Sequence, residues 1–182
     1  MTDTRPVPTM FKPPGSVDEG GSPLLAQVER VPDAVAALLA HRRAQRGSPT
    51  PGDEADRAFV VFLRALALDD ATVQALRLGG EEAGRGVYAK RVVDEPLARA
   101  LDRLGEGLRA SGLGDVEVLD AFHRTALLRR EAAVPAAAPF IEGAVRGFLA
   151  ECFNCEVDVR ADGDRIEASL GAGRDVNGGR RA

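Results

Sequence analysis

Two cysteines, Cys152 and Cys155, stand three apart in Cys152-Phe153-Asn154-Cys155. Thiolates at this spacing can hold a zinc ion, or cycle as a redox pair when a helix N-terminus lowers one pKa. The surroundings favour neither. The pair follows a helical run and so sits at a helix C-terminal end, where the dipole disfavours a thiolate. There is no second C-x-x-C, and only His41 and His123 could add nitrogen ligands. Cys152 and Cys155 are therefore weak metal candidates, and burial as small apolar side chains is the expectation for both. His123 falls at an expected hairpin turn beside Arg124, unlike a haem ligand, which would sit on a helix facing a wide pocket. His41, in Ala40-His41-Arg42-Arg43, suits a helix C-terminus, where the dipole favours a cation.

Gly79-Gly80-Glu81-Glu82-Ala83-Gly84-Arg85-Gly86 superficially resembles a phosphate loop. It lacks a preceding strand and a Gly-Lys-Ser/Thr, so it fails the context that motif requires. Close helix contact, or a break between two helices, explains it better. Gly143 and Gly147, four apart, flatten one face of a helix. Glycine inside a helix costs up to about 1 kcal/mol relative to alanine, so two of them point to a packing or ligand reason. Ser111 and Ser169 have no nucleophile motif around them. The pairs Glu81-Glu82 and Asp69-Asp70 read as solvated helix charges.

These residues need elements to position them. The 182 residues suit one domain with tails. Hydrophobic residues make up 45% and aromatics 4%, so the core is Ala, Leu and Val. The formal net charge of −4 speaks against nucleic acid as the main partner. No secretory signal or membrane-spanning run is evident, so the expected location is the cytoplasm, and two cysteines suit a reducing compartment. Residues 1–22, rich in Pro and Gly, are expected to be a disordered arm. Residues 23–52 read as a helical extension and linker, with Val31-Pro32-Asp33 as a joint between two short helices. Residues 53–170 form the domain, and 171–182 a flexible tail.

Within the domain, Phe59, Phe62, Leu63 and Leu66 mark one face of a helix over 55–66. Asp69 or Asp70 caps the next helix, which carries Val73, Leu76 and Leu78, and extends toward Val87 and Tyr88. Asp94-Glu95-Pro96 starts a third, with acids in its first turn and Leu97, Leu101, Leu104 and Leu108 on one face. Gly112 or Gly114 ends it. Val116–Leu119 and Ala126–Leu128 alternate as a hairpin. A helix over 140–153 follows, then a second hairpin of 156–160 and 165–169 turning at Asp162-Gly163. The fold class is α/β of the α+β kind: helices, then a small antiparallel sheet in the order strand-strand-helix-strand-strand.

Three stretches together resemble the 4-vinyl-reductase-type, hydrocarbon-binding domain family, related to haem/nitric-oxide-binding domains and to the small subunits of the TRAPP tethering complex. They are Leu78-Gly79-Gly80-Glu81-Glu82-Ala83-Gly84-Arg85, then residues 108–118, then Phe140-Ile141-Glu142-Gly143-Ala144-Val145-Arg146-Gly147-Phe148 with its hairpin. The likeness spans roughly residues 55–170. It implies a hydrophobic pocket between sheet and helices, and frequent dimerisation. Several members carry a zinc site with a cysteine before this helix and others in the last hairpin. Residues 136–139 and 160–166 here contain none, so that site is expected to be absent, and no cofactor is identifiable. The resemblance implies a non-enzymatic module that binds an apolar small molecule or senses it. Phe140, Ile141, Val145, Phe148 and Leu149 are pocket-wall candidates, and Tyr88 a polar contact. It also admits a homodimeric scaffold like the tethering subunits, and an accessory factor or reductase in (bacterio)chlorophyll or tetrapyrrole synthesis. The last would need a hydride or electron source, and no nucleotide or flavin fingerprint is present.

Overall fold

A run of helices precedes two strand pairs that flank one further helix, as the change of hydrophobic period requires. The computed structural model describes residues 29–37, 40, 54–90, 92 and 94–173. The expected arm over 1–22, the Gly47–Gly52 breaker, His41 and the tail from 174 lie outside these residues.

Helix α1 covers residues 29–37 and runs straight through Pro32. The expected joint at Val31-Pro32-Asp33 is therefore corrected. Proline already holds a helical φ, and Pro32 is only the fourth described residue of the helix, near the end where a missing N–H costs least. Val31 and Val35, one turn apart, are both buried and hold the segment against the core. Helix α2 (Glu54–Ala65) buries Phe59 and Leu63. Phe59 meets Phe140 edge-on, with ring centroids 5.3 Å apart.

Helix α3 (Asp70–Ala83) is capped by Asp69, whose carboxylate accepts the Thr72 N–H at 2.7 Å. This donor holds the Asp69 pKa below its ordinary value of 3.8. Of the two aspartates, Asp69 is thus the cap. Leu76 is completely buried, but Leu78 is 67% exposed and does not share its face. The helix then widens into a π-helical turn, Gly84–Tyr88, which takes Val87 and Tyr88 off the α-helical track.

Helix α4 (Leu97–Ala110) begins after Pro96, so Asp94 and Glu95 precede its first turn instead of filling it. Asp94 takes a left-handed φ of 58°. Leu97, Leu101, Leu104 and Leu108 form the buried stripe the spacing predicts; each such side chain contributes roughly 1.5–3 kcal/mol when buried. The helix ends at Gly112, φ 69°. Its N–H reaches Arg109 O at 3.0 Å, and that of Leu113 reaches Leu108 O at 3.1 Å, the two bonds of a Schellman cap.

The sheet follows: β1 (Gly114–Phe122), β2 (Thr125–Ala132), helix α5 (Ala137–Phe153), β3 (Cys155–Asp162) and β4 (Arg165–Gly173). The strand-strand-helix-strand-strand order matches the expectation. The strands are longer than the alternation alone marks, and β4 runs to Gly173 where a tail is expected from Gly171. The four strands are antiparallel, in spatial order β1-β2-β4-β3. Val118 pairs with Leu128, Leu128 with Ile166, and Val159 with Ala168, so one face is apolar. The opposite face carries the cross-strand row Glu117, Arg129, Arg165 and Asp162. That alternation packs one face on the helices and leaves the other in water. Gly163 supplies φ 59° at the second turn.

Helix α5 lies between the sheet and α3. Eleven of its residues are buried, from Ala137 to Ala150. It meets α3 backbone to backbone. A methyl group on Gly143 would sit 2.8 Å from the Arg77 carbonyl carbon, and one on Gly147 would sit 2.7 Å from that of Glu81. The seam is reciprocal: methyls on Gly80 and Gly84 would meet the backbone of Phe140 and of Ala144 and Phe148. The close-contact account of both glycine pairs therefore holds.

Candidate functional site

Phe140, Ile141, Val145, Phe148 and Leu149 are all completely buried and belong to one continuous apolar cluster under the sheet. Three surface hollows are built from described residues, and none is lined by these five.

One side chain joins this cluster to the surface. Arg103, on α4, extends its guanidinium over the Phe148 ring, 5.1 Å from the centroid. At that distance a cation is attracted by the ring's quadrupole. The same group is gripped by residues between the π-turn and α4. Its Nη2 donates to Glu95 Oε2 at 2.6 Å and to Lys90 O at 2.9 Å, and Nη1 reaches Tyr88 O at 3.4 Å. The Arg103 and Glu95 side chains are only 26% and 13% exposed. A charge-assisted fork in such partial shelter is stronger than an open surface pair. Glu95 raises the Arg103 pKa, so the cation is permanent.

Cys152 closes the cluster. Its thiol points at Lys90 O, 3.7 Å away, and Arg103 Nη2 lies 3.9 Å from the sulfur. Burial pushes the thiol pKa up, and nearby Arg103 only partly offsets this. The thiol form therefore dominates at neutral pH. Cys155 opens β3 and is buried, and neither cysteine is in a disulfide. Among the described residues no group of three His, Cys, Asp or Glu side chains could hold a metal ion. Tyr88, the expected polar contact, lies beside Arg103 through its carbonyl, while its hydroxyl is 3.2 Å from Ser111 Oγ. The structure thus brings Tyr88 and Phe148 to one arginine. His123 sits at the exposed first hairpin turn, φ 49°, with its ring 4.0 Å from that of Phe122.

No sequence motif singles out Arg103. Its partner Glu95 is eight residues away, beyond the reach of helical spacing rules. The cue that exists is an arginine set between Leu101 and Leu104 on an otherwise leucine-lined helix.

A second charged cluster lies on the other side of α5. Glu142 accepts from Arg77 Nε at 2.9 Å and from Arg130. Arg130 and Glu142 are 11% and 12% exposed. A carboxylate inside the apolar stretch 139–145 of α5 is a signal that a cation must meet it. Beside this triad is a hollow of about 280 Å³ between α3, α5 and β3. The two other hollows, near Arg109 and Asp115, are shallow and carry paired charges such as Arg109–Asp115 at 3.0 Å. No helix is long and apolar enough to cross a membrane among the described residues.

No family model matches the chain, and no curated protein matches it. The architecture therefore rests on the element order and strand registers above. Among solved structures, the chain is similar to a vinyl-4-reductase family protein from Methanocaldococcus jannaschii, with 16% identity and a TM-score of 0.35 over 86% of this chain and 98% of that one.

Proposed function

We propose that this domain is a non-enzymatic module that binds an apolar small molecule in the core beneath Arg103, and that the Arg103–Glu95 pair is the latch over its entrance. The supporting observation is the position of Arg103. It is the polar side chain laid across Phe148, where the apolar cluster comes nearest to an ionic surface. It is held there by Glu95 and by the carbonyls of Tyr88 and Lys90. Removing the latch removes two charges from the entrance and leaves the core side chains unchanged.

Among the described residues, no acid, base and nucleophile are assembled at this site. Arg103 stays protonated, Cys152 stays a thiol, and Glu95 is engaged by the arginine. Such a group binds and positions, and supplies no proton transfer near neutral pH.

A neutral apolar fluorophore, N-phenyl-1-naphthylamine, tests the proposal. Saturable binding of one molecule per chain is expected, with association at least several-fold faster in Arg103→Ala. Absence of saturable binding to both proteins would overturn it. Native mass spectrometry of the purified protein, before and after organic extraction, checks for a molecule carried from the cell.

A further inference from the structure

We propose that the hollow between α3, α5 and β3 binds a small amphipathic carboxylate, its anionic head held by Arg146 and Arg77 and its apolar part by Leu78, Val159 and Ala161. This is a separate site from the Arg103 entrance and does not depend on it.

The charge balance comes first. Arg77, Arg146, Glu81 and Glu142 line the hollow. Its two carboxylates are already engaged: Glu142 by Arg77 and Arg130, and Glu81 by Arg85. The lining itself is balanced, but Arg85 and Arg130 just outside it also engage these two glutamates, so neither carboxylate is left to offset Arg146.

Unused donors come second. Arg146 Nε is sealed from solvent and has no hydrogen-bond partner among the described residues. Arg146 Nη2 donates to Val159 O, a long bond at 3.5 Å. Arg77 engages Glu142 through Nε alone. The sealed Nε is out of a ligand's reach as the side chain stands; the donors left to a ligand oxygen are the Nη groups of Arg77, on a side chain 42% exposed, and of Arg146. Arginine forks match planar carboxylates in two-point geometry.

The walls give the rest of the ligand. Leu78 is 67% exposed beside the hollow, and Val159 and Ala161 complete an apolar side. At about 280 Å³ the space admits a small molecule and not a long chain.

The experiment is an amide NMR titration of the full chain with benzoate, benzyl alcohol and inorganic phosphate in turn, at constant ionic strength. Saturable shifts at Leu78 and Ala161 are expected with benzoate. In Arg146→Met, affinity should fall by about tenfold or more, the loss of one charge-assisted fork. That variant should melt no lower than the parent, because it removes a sealed donor that lacks an acceptor. Arg77→Gln, at a side chain 42% exposed, gives a second test with little risk to folding and should also weaken benzoate. Four results would overturn the proposal: no saturable shift with benzoate, unchanged affinity in both variants, equal binding of benzyl alcohol, or binding of phosphate with benzoate silent.

Discussion

Replacing Gly147 by alanine probes the seam on which the helical layer depends. The new methyl would lie 2.7 Å from the Glu81 carbonyl carbon and 2.9 Å from its Cα, and closer still to the carbonyl oxygen. Carbon atoms pack at about 3.5–4.0 Å, so α3 and α5 must part by roughly 0.8 Å or more. A radial gap of about that size forfeits a quarter to a half of each contact's attraction. Overpacking of this kind costs typically about 1–3 kcal/mol, and the obstacle here is backbone, which has no rotamer to turn aside, so the upper end applies. Alanine's better helix propensity returns about 1 kcal/mol. The net loss is about 2 kcal/mol, or a fall of ~4–8 °C in Tm for a chain of this length. Calorimetry and denaturant titration of Gly147→Ala measure it. Gly107→Ala is the control, because a methyl there meets the ring of Tyr88, a side chain that can move. It should change Tm by much less. A Gly147→Ala protein as stable as the parent would refute the backbone-to-backbone crossing.

Two further outcomes follow from titrating groups. The folded-state pKa of Asp69 is depressed by the Thr72 N–H, so its contribution is complete above the ordinary value of 3.8 and is lost as pH falls through the folded value. Asp69→Asn keeps an acceptor but cannot titrate. The Tm difference between parent and variant should therefore shrink on acidification below that ordinary value, and a difference independent of pH would contradict the cap. The Cys152 thiol, raised by burial above its ordinary 9.0, should react with iodoacetamide slowly at neutral pH and faster only in strong alkali, while Cys155 stays unlabelled until unfolding. Labelling of Cys152 at the rate of an exposed thiol would rule out the sheltered position.

Local rules carried much of the fold. The leucine stripe of α4 and its Gly112 exit follow from spacing and from one residue type that tolerates a left-handed φ. The two hairpins follow from a change of period, and Gly163 from the turn it must make. Where expectation and structure part, distant partners decide. Pro32 stays helical because Val31 and Val35 are buried, which spacing alone does not reveal. Glu95 stands before α4 beside an extended Pro96, and its side chain is met by Arg103 from two turns on. Leu78 has the composition of a core residue but faces the hollow beside Arg146. The glycines at 80, 84, 143 and 147 each announce close packing, yet nothing local says that they face one another. Of the expected pocket residues, the five on α5 are brought together as one buried cluster, while Tyr88 is joined to them only through Arg103.

Methyl NMR of the chain during titration with N-phenyl-1-naphthylamine addresses the binding site most directly. Entry beneath the latch should shift the methyl signals of Ile141, Val145 and Leu149, all fully buried. Shifts confined to the exposed Val61, Leu68 and Leu119, with the buried methyls unmoved, would mean that the probe stays on the surface and that the core takes no ligand.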